Sequence, residues 1–333
     1  MSESASPPQE TLVTRASRRL RGGPYLQLVV LVAAWVIAVS VIDGLSSRSS
    51  IYSILILASF LGIAAAGQTL VIMIGGIDLS VPSVIGAANL FVALWSGEGW
   101  PIWLAFAAIV AVSGLLGALN GYLSQRFTLP PLIVTLATGA ILLGFSLVAT
   151  GGGNVNGGVP DWLSQFASPI GTVGPIPVPP VIVLWAVLAL SMGYFLQFTA
   201  AGARLRAAGS SPVAARLGLV RVRRIWVLTF MVSAISSAVL GVILLGFGGS
   251  GQPGLGDPYL FTSLAAVLVG GTSLIGGQGS YTRTVIGALI ITLLSTLLIS
   301  FGLPLSVQQI LTGVVIFAAV GLYGRESRLR DRV

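Results

Sequence analysis

The sequence lacks three residue types that carry much of enzyme chemistry. Its 333 residues include no Cys and no His, and all 17 basic residues are Arg, so Lys is absent as well. Without Cys the chain can form neither disulfides nor thiolate metal sites. Without His it loses the commonest neutral metal ligand and proton shuttle. We therefore expect a protein that is not an enzyme, with no catalytic residue, no metal and no cofactor.

Charge is also scarce: charged residues make up 8% of the chain and hydrophobic residues 55%. This balance is typical of a membrane protein with several spans rather than of a soluble domain. Uncharged stretches recur that are long enough for a helix to cross a hydrocarbon core of roughly 30 Å. We predict an all-α, polytopic membrane helix bundle of about ten transmembrane helices, at residues 25–42, 51–74, 79–95, 101–119, 131–149, 181–198, 225–247, 259–275, 284–301 and 305–322.

The distribution of arginine gives this bundle an orientation. With the amino terminus inside, sixteen of the 17 Arg fall in inner segments and only Arg48 falls outside, which is the asymmetry of the positive-inside rule. We predict a bacterial inner-membrane protein with both termini cytoplasmic: a tail at 1–24, a transmembrane domain at 25–322 with a cytoplasmic loop at 199–224, and a tail at 323–333. Because topology explains the basic charge, we expect membrane lipid as a partner and no nucleic acid.

Polar side chains inside the predicted spans carry no charge. An ion-coupled carrier usually needs an ionisable group or an interrupted helix near mid-membrane, which weakens that class, although backbone carbonyls can also hold sodium. Amides and hydroxyls suit an uncharged, hydroxyl-rich solute, because they exchange hydrogen bonds without a counter-ion. The candidate lining of a translocation path is Gln68, Asn89 and Gln308; the alternative is that they bond to backbone or to a neighbouring helix. Other neutral polar residues in the spans include Thr292, Ser295, Thr296 and Gln309.

The connection between the second and third predicted spans carries a motif. In IMIGGIDLSVPSVIGA, residues 72–87, a Gly pair ends one span and an Asp-x-Ser group opens the next. Ser80 or Asp78 is expected to cap the third helix, and Pro82 suits its first turn. The string resembles the G-G-I-D-L-S-V-G-S signature of the permeases of ribose-type ABC sugar importers. The resemblance is carried by Gly75, Gly76, Asp78 and Ser80.

Two further blocks extend this resemblance over residues 50–322. One is similar to that family's Asn-Gly turn and Arg-x-x-x-Pro-Pro-hydrophobic-Val-Thr-Leu segment, in GALNGYLSQRFTLPPLIVTLAT at 117–138. The other is similar to its second Gly-Gly-Thr-Ser-Leu-x-Gly-Gly-x-Gly-Ser block, in AAVLVGGTSLIGGQGSYTRTVIGALI at 265–290. Ser295 and Thr296 stand where that family commonly has Asn-Gly, a departure that bears on the identity of the solute.

A fourth block lies in the predicted cytoplasmic loop, where six Arg fall within residues 203–224. From the residues alone, Pro212 is expected to begin a short helix with Ser210 or Ser211 as its cap, a compact shape suited to a partner's groove. The segment at 199–218 resembles the family's inner loop, which implies that a soluble ATPase docks on it, with Ser211 in place of the usual Asn. The candidate coupling residues are Arg204, Ala208, Gly209, Ser211, Pro212, Ala214, Ala215, Arg216 and Gly218.

The resemblance as a whole implies the permease subunit of an ABC importer that moves a monosaccharide, a pentose such as ribose or xylose. Expected partners are a separate ATPase subunit, a periplasmic or extracellular sugar-binding protein, and a second permease subunit, identical or different. The chain has no Gly-rich run followed by Lys-Ser/Thr and so no phosphate loop of its own. Two alternatives stay open: a permease for a nucleoside, autoinducer-2 or a branched-chain amino acid, and an ion-coupled secondary carrier.

Overall fold

The computed structural model describes residues 25–330, with side chains described as far as residue 318. These residues form helices joined by turns and loops, without a β-strand among them, which confirms the all-α expectation. The predicted tail at 1–24 lies outside the described residues. The helices of the described part are α1 (Tyr25–Val41), α2 (Arg48–Met73), α3 (Val81–Gly97), α4 (Ile102–Arg126), α5 (Pro131–Thr150), α6 (Asp161–Phe166), α7 (Pro180–Phe198), α8 (Ala200–Ser210), α9 (Pro212–Leu217), α10 (Val222–Gly248), α11 (Tyr259–Val269), α12 (Tyr281–Ser300) and α13 (Leu305–Arg330).

Each of the ten predicted stretches coincides with one of these helices. α11 ends at Val269, earlier than predicted, because Gly271 adopts φ +84°, a left-handed conformation that stops a helix. α13 continues to Arg330, into the segment predicted as a tail. Six helices are long and apolar enough to cross a membrane, namely α2, α4, α5, α7, α10 and α12. The shorter apolar segments are α1, α3, α11 and the Leu305–Ala318 part of α13. The number of ten spans therefore stays a prediction.

The centre of the bundle is formed by α2 and α10. α10 packs against α2, α3 and α4, and α2 also packs against α7, α11 and α12. The most apolar part of α2 is 89% buried, whereas the corresponding parts of α5 and α7 are 22% buried. The exposed side chains of these outer helices are largely apolar, for example Leu136 and Leu190. Because lipid tails are as apolar as Leu, such faces suit a lipid environment.

Close packing of α4 on α10 depends on two glycines. A Cβ on Gly121 would lie 2.6 Å from the carbonyl oxygen of Trp226 and 2.8 Å from the Cα of Val227. A Cβ on Gly117 would overlap the carbonyl oxygen of Phe230. Small residues at helix contacts let lipid-embedded backbones approach closely. Gly117 and Gly121 thus fix the amino-terminal half of α10, the helix that directly follows the loop formed by α8 and α9.

Candidate functional site

The loop singled out by its arginines is built from two short helices, α8 and α9. The Thr199 side chain caps the start of α8. The Ser211 hydroxyl caps α9 by accepting a hydrogen bond from the Ala214 amide at 3.3 Å, and Pro212 occupies the first turn, where its missing N–H costs nothing. The prediction of a short helix that begins at Pro212 is confirmed, with Ser211 rather than Ser210 as its cap.

The candidate coupling residues divide into two groups by exposure. Three of them are buried against the bundle: Ala208, Gly209 and Ala215. The others are exposed or, for Ser211, half-buried: Arg204, Ser211, Pro212, Ala214, Arg216 and Gly218. The sequence analysis assigned both groups to the docking of an ATPase. In the structure only the second group is available to a partner, and the first holds the loop against the bundle.

Large apolar side chains lie exposed beside these residues. Val213, Leu217 and Leu219 are 69%, 83% and 91% exposed. Together with Arg204 and Arg216 they form what we call the α8–α9 surface. Within the described part of the chain, neither arginine has an ion pair or a cation–π contact. Exposed apolar side chains rimmed by unpaired charge are typical of a protein interaction surface.

Three segments that are distant in sequence meet behind the α8–α9 surface. Gly277 donates its N–H to the carbonyl oxygen of Met73 at 2.8 Å. Gly209 lies against both groups: a Cβ there would overlap the Met73 oxygen and lie 2.6 Å from the Gly277 nitrogen. A Cβ on Gly276 would lie 2.9 Å from the Gly209 oxygen and 3.0 Å from the Gly75 nitrogen. We call these five residues the glycine junction.

The glycine junction requires glycine for its backbone as well as for its space. Gly75, Gly276 and Gly277 have φ of +80°, +91° and +76°, in the region that glycine adopts without steric cost. The Gly pairs at 75–76 and 276–277 thus have a joint physical purpose. They let the end of α2, the end of α8 and the α11–α12 connection touch through backbone atoms. Sequence reasoning missed Met73, since no local signal distinguishes it.

The carboxylate of Asp78, in the connection between α2 and α3, is held by two serines. Ser80 donates both its N–H (2.9 Å) and its hydroxyl to Oδ1, and Ser233 of α10 donates its hydroxyl to Oδ2 (2.8 Å). Burial raises the pKa of the Asp78 carboxyl, and the hydrogen bonds from Ser80 and Ser233 act in the opposite direction. The prediction that a side chain of Ser80 or Asp78 caps α3 is therefore wrong. Ser80 takes the N-cap position of α3 without a side-chain cap, because its hydroxyl bonds to Asp78.

The second motif block supports the same connection. Thr135 of α5 accepts a hydrogen bond from the Leu79 amide at 3.0 Å. Thr138, one turn further along, donates to the side-chain oxygen of Asn120 at 2.6 Å. Residues of this block therefore fix α5 to α4 and to the loop that carries Asp78.

The three candidate path residues lie in different surroundings. Gln68 is buried in α2, and neither atom of its amide has a hydrogen-bond partner within the described residues. Asn89 is buried in α3, where it donates to the carbonyl of Gly241 at 3.3 Å and accepts from the amide of Gln252 at 2.7 Å. Gln308 lines a groove between α11, α12 and α13 that contains neither Gln68 nor Asn89. The structure does not bring the three together.

Backbone contacts link the exposed loop to the interior of the bundle. The α8–α9 surface is exposed, and the glycine junction behind it joins α8 to α2 and to the α11–α12 connection through backbone contacts. These contacts are made by backbone atoms rather than by flexible side chains. Within the described residues, no group of three or more acidic side chains could hold a metal ion.

Comparison with known proteins gives consistent matches. The sequence model of the family described as branched-chain amino acid transport system / permease component matches residues 50–320. The chain is 35% identical to the ribose import permease protein RbsC of Haemophilus influenzae, over 89% of this chain and 90% of that protein. It is 31% identical to RbsC of Escherichia coli K12, over 93% of this chain and 98% of that protein. It is 32% identical to the autoinducer 2 import system permease protein LsrD of Klebsiella pneumoniae, over 78% of this chain and 79% of that protein. No solved structure matches.

Proposed function

Because this chain belongs to the family of branched-chain amino acid transport system permease components, we propose that it is the permease subunit of an ABC importer for a monosaccharide, ribose or a similar pentose. The observation that carries the proposal is the similarity to ribose import permeases along about nine-tenths of the chain. The uncharged amides and hydroxyls of its apolar helices suit such a solute, because a sugar offers hydroxyls and no charge. The protein is a multi-pass protein of the bacterial inner membrane.

The permease domain spans the membrane about ten times, with both termini in the cytoplasm. Support for this topology comes from the one-sided distribution of arginine and from the agreement of each predicted stretch with a helix. In this orientation the α8–α9 surface and the glycine junction face the cytoplasm. The helix ends near Glu98, Asp161 and Asp257 face outward, towards a sugar-binding protein.

A separate ATPase subunit docks on the α8–α9 surface and drives transport. The exposed Val213, Leu217 and Leu219 supply apolar contact, and Arg216 supplies a charge without a partner of its own. ATP binding moves the inner loops of two paired permease subunits, and the glycine junction carries that movement into α2 and α12. The chain itself contributes the path and the lever, whereas the ATPase contributes the chemistry.

Purification with the native ATPase and binding protein tests this proposal. The complex is reconstituted into vesicles, and ATP hydrolysis and uptake are measured with D-ribose, D-xylose, other pentoses, hexoses and leucine. We expect a pentose with its binding protein to stimulate both hydrolysis and uptake. Transport by the isolated chain with an ion gradient and no ATPase would contradict the proposal and favour a secondary carrier.

Autoinducer-2 is a second candidate solute. The observation that favours it is the 32% identity to LsrD, a permease named for that import system. The same reconstituted complex separates the two candidates, because stimulation by autoinducer-2 without stimulation by any pentose would select the second.

A further inference from the structure

A groove opens between α11, α12 and α13, at the end of the bundle opposite the glycine junction, with polar residues on its α12 and α13 walls and with Leu57, Leu61 and Phe261 on the remaining wall. α12 and α13 are consecutive and both pack against α11, but within the described residues they barely contact each other. The space between them has a volume of about 230 Å³. It is smaller than the roughly 300–1,000 Å³ of pockets for drug-sized ligands, so it suits one small molecule.

Each wall of the groove is a stripe along one helix. Thr292, Ser295, Thr296 and Ile299 of α12 line it, and so do Leu305, Gln308, Gln309 and Thr312 of α13. Both sets have the spacing i, i+3, i+4, i+7, which places side chains on one face of a helix. Six of these eight residues are uncharged and polar. α12 and α13 therefore turn polar faces towards each other.

Several polar groups in this groove have no partner within the described protein. Thr292 is only 5% exposed, yet its hydroxyl makes no hydrogen bond, and the same holds for the Ser295 hydroxyl and the Gln309 amide. Asp257 adds a free, exposed carboxylate at the mouth. Lipid tails offer no hydrogen bonds, so unpaired amides and hydroxyls are costly against lipid. The groove must therefore hold water or a polar ligand.

The depth of the groove follows from the helix geometry. Thr292 lies eight residues before Ser300, the last residue of α12, which corresponds to about 12 Å at 1.5 Å per residue. Asp257, just before α11, lies at the same end of the bundle. The polar faces thus lead inward from the end of the helices, and in the proposed topology that end is the outer one.

We infer that this groove is an outward-facing binding site for one small, uncharged, polyhydroxylated solute. The amides and hydroxyls offer donors and acceptors without a counter-ion, and Asp257 accepts hydrogen bonds from solute hydroxyls at the mouth. The inference rests on the proposed function for the identity of the solute as a sugar. It places the first contact between the solute and the permease on α12 and α13.

Cysteine labelling tests the groove without relying on transport, because the native chain contains no Cys. Ser295→Cys is compared with the exposed Ser300→Cys and with Leu190→Cys on the apolar outer face of α7. The probe is a small cationic methanethiosulfonate that does not cross membranes and reacts with the thiolate, which requires water. We expect Ser295→Cys to react at a rate within roughly tenfold of Ser300→Cys, and excess D-ribose or another polyol to slow only Ser295→Cys.

Two outcomes of labelling would overturn the inference. Ser295→Cys could be as unreactive as Leu190→Cys, which would mean that lipid or protein fills the groove. Alternatively, it could react at a rate that no sugar or polyol in the panel changes, which would mean a groove that holds water only.

Transport then separates the inference from the proposed function. Thr292→Val and Ser295→Ala remove the unpaired hydroxyls with little change in volume, and Ser300→Ala is the matched control on the same helix outside the groove. With the complete complex in vesicles, we expect the double variant Thr292→Val/Ser295→Ala to import the sugar about tenfold more slowly below saturation than the wild type. Import equal to that of Ser300→Ala would overturn the inference. A wild-type complex that moves no pentose would refute the proposed function, while the labelling still decides whether the groove binds a polyol.

Discussion

Gly209 is the position where one methyl group gives the sharpest test of the glycine junction. Gly209→Ala adds a Cβ that overlaps the Met73 carbonyl oxygen and lies 2.6 Å from the Gly277 nitrogen. Both neighbours are backbone atoms, so neither can rotate away as a side chain would. The clash is relieved only by a shift of α8 away from α2 or by loss of the hydrogen bond between Gly277 and Met73.

Either structural change, the shift of α8 or the loss of the hydrogen bond, has a free-energy cost that can be estimated. Overpacking a tight contact by one methyl group costs about 1–3 kcal/mol. Breaking the Gly277–Met73 hydrogen bond leaves a buried donor and acceptor unpaired, at a similar cost of about 1–3 kcal/mol. These are alternative responses to one clash, so they do not add, and we expect a local destabilisation of about 2 kcal/mol. That corresponds to roughly a 30-fold larger population of the detached loop.

Trypsin measures this population directly, because the loop contains several exposed arginines. Inside-out membrane vesicles present the proposed cytoplasmic face to the protease, and cleavage after Arg216 is followed by mass spectrometry. When the loop opens and closes faster than it is cut, the cleavage rate follows the open population. We therefore expect cleavage in Gly209→Ala to be about 30-fold faster than in the wild type. Association with the ATPase should weaken, whereas membrane insertion stays normal.

Gly218→Ala is the matched control in the same loop. A Cβ on Gly218 would lie 3.5 Å from its nearest neighbour, the Ala215 carbonyl oxygen, at an ordinary contact distance. Alanine there also restricts the unfolded chain, which is neutral or slightly stabilising. If Gly209→Ala and Gly218→Ala were cleaved at the same rate, the glycine junction would not hold the loop, and our account of it would fail.

Three further predictions concern the bundle. Asp78→Leu leaves the donors of Ser80 and Ser233 buried and unpaired, at about 1–3 kcal/mol each, so its melting temperature in detergent should fall well below that of the isosteric Asp78→Asn, which keeps one acceptor oxygen; equal values would refute the role of hydrogen bonding at Asp78. Asn89→Ala removes a bridge between two backbone groups, so it should lower thermal stability but leave solute selectivity in uptake competition unchanged. In whole cells, an impermeant maleimide should label Gly158→Cys but reach Gly218→Cys only after permeabilisation; the reverse pattern would refute the proposed topology.

Features that depend on adjacent residues were predictable from the sequence. The start of α9 follows from Ser211 and Pro212 alone, since a cap and a first-turn proline act within four residues of chain. The helical stretches follow from the apolar composition, although their ends depend on backbone details such as the left-handed Gly271. The cap expected from Ser80 or Asp78 is absent because Ser80 donates its hydroxyl to Asp78; the other oxygen of that carboxylate accepts from Ser233, 155 residues away in the chain, a partner that no local pattern indicates.

Features made by distant segments were hidden from sequence reasoning. The glycine junction joins Met73 to Gly209 and Gly277, and nothing local in any of the three segments indicates the others. The groove was visible in part. The spacing of Thr292, Ser295 and Thr296 marks one polar face on α12, but the sequence does not reveal that this face opposes the polar face of α13. Gln308 was singled out as a polar residue within a predicted span and Gln309 was noted beside it, whereas Thr312 was overlooked.

The two ends of α12 connect the proposed site of force to the proposed site of binding. α12 begins just after the glycine junction and ends beside the groove, and its 20 residues correspond to about 30 Å of helix. A packed helix moves as a unit, so a displacement of the α11–α12 connection shifts the groove wall that carries Ser295. Coupling of this kind is reciprocal in free energy. We therefore expect ATPase docking on the α8–α9 surface to change the labelling rate of Ser295→Cys, and occupancy of the groove to change ATPase affinity by a matching factor; if docking left that rate unaltered, α12 would not transmit the movement.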